Sequence, residues 1–299
     1  MIIKSRIPIS YVFKELKIPL FYVCLIALIS GILPIFFRSF LSDIPISIAT
    51  TLGIAISILL SYMMNQSYER WWEARKIWGE IVNDSRTLVM QLSMYLNPVN
   101  KDIEVMSQRQ IAWNYSLGSH LRKVDSLQDL KKWFSDKDFE SVSMSANRPL
   151  RILSLQSQGL AKLYRYKELD KFSQVQIETT LSRLTSSMGK CERIKNTVFP
   201  PIYRYGLHGS IYLFVIFLSL SVAFKLQHFI LEFVILVIVS MVFFFLEKAA
   251  FRLQDPFENI PTDTPVTFIA EKIEGDILQL LDQKAGPLPK VSNKQYYVL

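Results

Sequence analysis

The chain has 299 residues, enough for two soluble domains, yet half of them are apolar, 13% are aromatic and the mean hydropathy is +0.23. That balance points to a membrane protein. The net charge of +8 is spread along the chain rather than clustered, which fits cytoplasmic loop bias and contact with lipid phosphates better than nucleic-acid binding.

No fixed-period repeat and no low-complexity tract occurs. The two cysteines, Cys24 and Cys191, lie far apart in different kinds of sequence, so a disulfide framework is not expected and both should be reduced or buried. The N-terminal stretch does not read as a cleavable signal, because its apolar run is too long for one and no small-residue cleavage site follows.

A membrane helix needs about 20 apolar residues, and four segments approach that length. The first, Ile18 to Phe37, carries no charge and contains Pro34, which neighbouring helices can accommodate. The second, Ile44 to Met64 ("IPISIATTLGIAISILLSYMM"), is also uncharged but rich in Ser, Thr and Gly. It runs into "NQSYERWWEARKIWGEIVNDSRTL", dense in charge and tryptophan. Indole rings favour the membrane boundary, where the ring is apolar while the N–H finds water or a carbonyl. Trp71 and Trp72 therefore mark where the second helix leaves lipid, with Arg70 and Arg75 placed to meet phosphates or carboxylates.

Two stripes run along that second span. Ile54, Ile58 and Tyr62 recur at i, i+4 and i+8 on one slowly drifting face, and Gly53, Ser57, Ser61 and Asn65 form another about 100° away. Small residues four apart allow close helix approach. The pattern fits a ring of identical helices that turn Ile54, Ile58 and Tyr62 to a lumen, and it fits equally a bundle holding that face in its own core.

From Trp71 to Pro200 apolar residues return every three or four positions, as expected of packed helices. "SDKDFESVSMSANRP" interrupts this and reads as a surface loop. The third span, Tyr205 to Phe224, and the fourth, Phe229 to Leu246, are separated only by "KLQH", which makes them a helical hairpin. "TPVTFIAEKIEGDILQLL" is an amphipathic helix with Thr264 as its expected cap and Pro265 in its first turn. The final residues, from Gly286, read as a tail. The expected domains are 1–70, with spans one and two; 71–200, a cytosolic helical domain; 201–248, with spans three and four; and 249–299, a cytosolic C-terminal helix and tail.

Lys4, Arg6, Lys14 and Lys17 precede the first span, Arg70, Arg75 and Lys76 follow the second, and Lys248 and Arg252 follow the fourth. The short loops carry only Arg38 and Lys225. This bias places both termini and the central block in the cytoplasm.

No enzyme signature is present. His120, His208 and His228 have no metal-ligand spacing, and no phosphate loop, nucleophile elbow or HExxH motif occurs. His208 reads either as a pore or interface group or as a hydrogen-bonded boundary histidine. The first two spans hold no midplane carboxylate or lysine of the kind coupled transporters need, which favours passive conduction. In "RLQDPFENIPTD", Asp255, Glu258 and Asp263 could offer oxygens to a hard cation such as calcium, but the spacing of a loop site is missing; a turn capped by Asp255 before Pro256 is the preferred reading.

"GIAISILLSY" running into "SYERWWEARKIWG", then "GKCERIKNTVFPPIYRY" and "LQDPFEN", in this order around four spans, resemble the bestrophin family and its bacterial branch over almost the whole chain. The resemblance implies an all-α membrane protein with four transmembrane helices and a cytosolic helical domain, assembled as a homopentamer around a single axial pore. It assigns a hydrophobic neck to Ile54, Ile58 and Tyr62, the face already nominated by periodicity. It further suggests a cytosolic aperture at Phe172, and gives Arg70, Glu73 and Arg75 helix-end and intersubunit pairing that keeps the neck in register. Cys191, in the elbow that returns the chain to the membrane, is packed rather than reactive.

Animal members bind calcium through consecutive acidic residues after the fourth helix; here only Asp255 and Glu258 remain as calcium candidates. No cofactor is implied. The expected partners are further copies of the chain, monovalent ions and membrane lipid, in the inner (plasma) membrane. The expected activity is passive conduction of chloride and other monovalent anions, with a sodium or potassium channel of the same architecture and a non-conducting scaffold as alternatives.

Overall fold

A computed structural model describes residues 9–37, 44–197, 199–223, 229–284 and 297. Arg38, Lys225 and His228, the "KLQH" connection, Lys4 and Arg6, and the tail beyond Lys284 except Tyr297 lie outside the described residues. The described chain is helical: α1 Ile9–Phe37, α2 Ile46–Tyr95, α3 Lys101–Arg122, α4 Leu127–Leu130 followed by a 3-10 turn, α5 Asp136–Ser143, α6 Arg148–Arg165, α7 Lys171–Asn196, α8 Pro201–Ala223, α9 Phe229–Gln254 and α10 Val266–Leu280.

Four of these helices, α1, α2, α8 and α9, contain stretches long and apolar enough to cross a membrane. α1 begins nine residues before the expected span, because Ile9 to Lys17 continues the helix without any breaker. α2 is a single helix of 50 residues, about 75 Å at 1.5 Å per residue. It carries the uncharged span, both boundary tryptophans and the charged segment without interruption.

The chain divides into two compact units. One holds residues 4–70 and 198–255, the other residues 1–3, 71–197 and 256–299. In the first, α1 packs on α8 and α9, and α8 on α9. Its core gathers Leu16, Val23, Ala27, Ile56, Met63, Ile211, Phe214 and Phe244.

The second unit is built on capped helices. Asn100 accepts the Asp102 N–H at 2.8 Å at the start of α3, Asn147 accepts the Leu150 N–H at 3.1 Å at the start of α6, and Asp170 accepts from Phe172 and Ser173 at 2.8 and 3.1 Å at the start of α7. Each cap satisfies backbone donors that the first turn leaves open. The hydrogen bonds to Ser173 and Phe172 hold the Asp170 carboxyl below the usual carboxylate range.

The core of this unit contains Trp78, Ile81, Leu88, Met106, Trp113, Ile152, Leu184 and Phe257. Arg109 binds three elements together, reaching Asp138 of α5 at 2.7 Å and the Leu155 carbonyl of α6 at 3.2 Å.

Two local expectations are corrected. "SDKDFESVSMSANRP" is not a loop throughout: it contains α5, whose Ser135 hydroxyl accepts the Asp138 N–H at 3.3 Å. Thr264 does not cap α10. Pro265 takes that position, the Thr264 carbonyl accepts the Val266 N–H at 2.8 Å, and the Thr264 hydroxyl is buried with no hydrogen-bond partner among the described residues.

α3 and α10 approach closely at Gly118, where an added Cβ would sit 3.3 Å from Val266 Cγ2. Gly118→Leu should force α10 outward and cost about 1–3 kcal/mol, read as a lower melting temperature of the detergent-solubilised protein, whereas Gly189→Ala, in open space on α7, should leave it unchanged or raise it.

Candidate functional site

The candidate site is one face of the apolar half of α2. Inside its own unit this helix buries Ala49, Ile56, Leu60, Met63 and Ser67, with Ile56, Leu60 and Met63 at 1%, 4% and 0% exposure. Spacings of three, four and seven residues keep those side chains on one side. Ile54, Ile58 and Tyr62 project from another side, 59%, 65% and 56% exposed. At about 100° per residue, Ile58 lies roughly 160° around the helix from Ile56. The apolar stripe is therefore not in the core of its own copy.

The small-residue stripe lies beside it. Thr50, Gly53, Ser57, Ser61 and Asn65 line, with Ile54, Ile58, Tyr62 and Phe243, a shallow groove of about 680 Å3. Two hydroxyls in this segment are turned back on the helix: Thr50 donates to the Ile46 carbonyl at 3.0 Å and Ser57 to the Gly53 carbonyl at 2.8 Å. Their protons are thus committed within α2. Gly53 also lets α8 approach, since a Cβ there would lie 3.2 Å from the Phe214 ring.

Tyr203, a residue the sequence reading passed over, steadies this face. Its hydroxyl donates to the Leu59 carbonyl at 2.8 Å, and its ring centroid lies 6.3 Å from that of Tyr62.

At the charged end of α2, Arg70 Nε donates to the Gln254 carbonyl at 2.8 Å, a helix-end contact with the last residue of α9. Burial lowers its pKa, and the nearby Asp255 charge opposes that shift. Glu73 pairs with Lys76 at 2.6 Å. Trp71 Nε1 donates to the Thr262 carbonyl at 2.9 Å, so this indole is anchored on protein, while Trp72 is exposed. Phe172, at the start of α7, is 87% exposed.

Of the calcium candidates, Asp255 is drawn to Arg70. In the other unit, Asp263 holds a turn: its carboxylate is fully buried and accepts the Asn259 and Ile260 N–H groups at 2.6 and 3.2 Å. That turn also places Asn259 in the left-handed region, with φ of 69°. No group of three or more potential metal ligands occurs among the described residues. Cys191 is buried, which with Glu192 and Glu80 nearby pushes its thiol up to about 12.

His208 belongs to a polar pair. Its Nδ1 lies 2.8 and 3.0 Å from the two Glu247 oxygens, and Glu247 is 1% exposed. Tyr212 and Phe244 place their rings edge-on to the imidazole at 5.1 and 5.6 Å.

Four membrane-length helices, with the Glu247 carboxylate buried among them beside a half-exposed His208, define a helical integral membrane protein. The chain belongs to the bestrophin family: the family profile described as "Bacterial/Fungal Bestrophin protein" matches residues 3–279. It is 33% identical over 245 residues to the Salmonella typhi protein named "Voltage-dependent anion channel-forming protein YneE", covering 82% of this chain and 80% of that one. A Ralstonia nicotianae protein named "Voltage-dependent anion channel-forming protein RSc3414" is 28% identical over 245 residues, 81% of this chain and 78% of its own. A crystal structure of a bacterial bestrophin homologue from Klebsiella pneumoniae superposes with a TM-score of 0.85 at 26% identity, covering 90% of this chain and all of the other.

Removing the imidazole leaves the buried Glu247 carboxyl without its partner. His208→Leu should destabilise the solubilised protein by on the order of 3 kcal/mol, seen as early thermal unfolding. His208→Leu combined with Glu247→Leu should recover most of that loss; a double variant no better than the single one would show that the pair does not act as a unit.

Proposed function

We propose that this chain forms an anion-conducting channel, five copies surrounding one axial pore whose neck is lined by Ile54, Ile58 and Tyr62 from each copy. The observation that carries it is the exposure of this stripe opposite the buried face of α2. The names of the relatives as anion channel-forming proteins support the sign of the ion, and so does the net charge of +8. The groove of small residues beside the stripe suits the neighbouring copy's helix, because residues without bulk allow close approach.

The chemistry of conduction follows from the lining. Isoleucine side chains offer an ion nothing in exchange for its water, so a narrow ring excludes ions by dewetting and a wider one passes them partly hydrated. Weakly hydrated anions lose least on entry. Permeability therefore rises from chloride towards larger halides, nitrate and thiocyanate. Flow is passive, down the electrochemical gradient, since the uncharged stretch of α2 from Ile46 to Met64 holds no carboxylate, lysine or histidine to couple it to another ion. Arg70, Glu73 and Arg75 keep neighbouring copies in register below the neck, and Phe172 narrows the cytosolic end of the path.

Lys14 and Lys17 before the first span, Arg75 and Lys76 after the second and Lys248 and Arg252 after the fourth support cytoplasmic termini. The same bias suits the bacterial inner membrane, with lipid around the outer helices.

In planar bilayers under asymmetric sodium chloride, the reversal potential should move towards the chloride equilibrium potential, and Ile58→Ala should raise single-channel conductance several-fold by widening the neck. A reversal potential at the sodium value would overturn the anion assignment, and unchanged current in a well-folded Ile58→Ala assembly would overturn the neck.

A further inference from the structure

A cavity of about 560 Å3 lies where the last turn of α3, the start of α6 and the last turn of α7 meet, within the unit formed by residues 1–3, 71–197 and 256–299. Conduction through a neck on α2 makes no use of it. Its volume falls in the range of small-molecule sites, and its wall is about half polar, with Leu121, Val124 and Leu130 on the apolar part. Lys123, Arg148 and Lys195 supply three permanent cations, Asp125 and Glu192 two carboxylates, and His120 an imidazole.

Both carboxylates are already engaged. Asp125 accepts from Arg148 Nη1 at 2.7 Å and from the Leu127 N–H at 3.0 Å, and these bonds hold its carboxyl below the ordinary range. Glu192 accepts from Asn147 Nδ2 at 3.0 Å and faces His120 Nε2 at 3.5 Å. Lys195 Nζ donates to the Phe257 carbonyl at 3.3 Å. Lys123, exposed and lining the same cavity, has no ion pair among the described residues.

The backbone at Lys123 is informative. It closes α3 in the left-handed region with φ of 57°, its N–H directed to the His120 carbonyl at 3.1 Å while Val124 N–H reaches Ser119 at 3.0 Å. Glycine or asparagine takes that position more easily. A lysine there costs stability and returns a fixed positive charge at the rim. The first turn of α6, which carries Arg148, adds the partial positive charge of a helix start on the opposite side.

The remaining lining narrows the ligand. Four serines line it; Ser126 donates to Ser119 Oγ at 2.6 Å and Ser145 to the Ser141 carbonyl at 2.9 Å, so these two hydroxyls are left to accept from a ligand, and no Phe, Tyr or Trp lines the cavity to stack a base. We propose that this cavity binds a small phosphorylated polyol of the sugar-phosphate class, its phosphate between Lys123 and Arg148 and its hydroxyls on the serines and on the spare lone pairs of Asp125 and Glu192. Such a ligand would tie the ends of α3 and α7 together, just before α7 gives way to the segment that leads into α8.

The test is isothermal titration calorimetry on the full-length, detergent-purified protein with glucose 6-phosphate, inorganic phosphate and glucose as probes. Saturable heat with glucose 6-phosphate, weaker binding of phosphate and none of glucose is the expected result. Lys123→Gly removes the charge while relieving the left-handed backbone, so it should melt at or above the wild-type temperature and bind glucose 6-phosphate about tenfold more weakly, the loss of one charge-assisted contact. Arg148→Gln should weaken binding in the same direction. Absence of saturable heat, equal affinity in wild type and Lys123→Gly, or inorganic phosphate binding as tightly as the sugar phosphate would each overturn the proposal. Because the readout is binding in detergent, its failure is distinct from a failure of conduction.

Discussion

α2 buries Ile56, Leu60 and Met63 against its own unit while the same stretch turns Ile54, Ile58 and Tyr62 outward. Both faces are apolar, and a single copy of the chain can cover only one of them. Each further structural feature bears on how that choice is kept. Gly53 admits Phe214, Tyr203 grips the Leu59 carbonyl, and Arg70 closes the carbonyl end of α9. These contacts fix the rotation of α2 about its axis, and a rotation of one or two residues would exchange the exposed stripe for the polar or the buried one.

Several polar groups of the apolar unit find partners within the protein, as a low-dielectric setting favours. Glu247 finds His208, Glu15 receives Arg252 at 2.7 Å, Ser30 and Ser219 meet each other across α1 and α8, and the hydroxyls of Thr50, Thr51 and Ser57 bond back to their own helix, whereas Ser67, Glu232 and Ser240 each keep a buried oxygen without a partner among the described residues. What α2 presents along the stripe is hydrocarbon and one phenol ring, a surface suited to controlling ion passage by hydration rather than by coordination. The other unit is ordered differently, by caps and by buried ion pairs such as Arg109–Asp138.

Much of this was legible in the sequence because its signal is local. Hydrocarbon-length apolar runs gave the four spans, and a spacing of four gave Ile54, Ile58 and Tyr62 as one face. The continuity of α2 to Tyr95 was not legible in periodicity, since the apolar and charged halves of that helix have separate patterns. α5 was missed although Ser135 and Asp138 stand at capping distance, because serines and acids crowd the whole window. The cap of α10 shifted by one residue, within the usual spread of helix boundaries. The Glu247 partner of His208 and the Leu59 partner of Tyr203 lie 39 and 144 residues away in the chain, so no local pattern could announce them. That Asp263 holds the Asn259–Ile260 turn depends on its burial, which spacing does not report.

The central claim is that Ile58 faces a water-filled path while Ile56 does not. Its most direct measurement is thiol accessibility during recording, with Ile58→Cys and Ile56→Cys each placed in a Cys24→Ser, Cys191→Ser background and exposed to a membrane-impermeant charged thiosulfonate. The geometry predicts that current through Ile58→Cys changes within seconds of reagent addition and that Ile56→Cys is inert. Modification at Ile56→Cys with Ile58→Cys inert would contradict it.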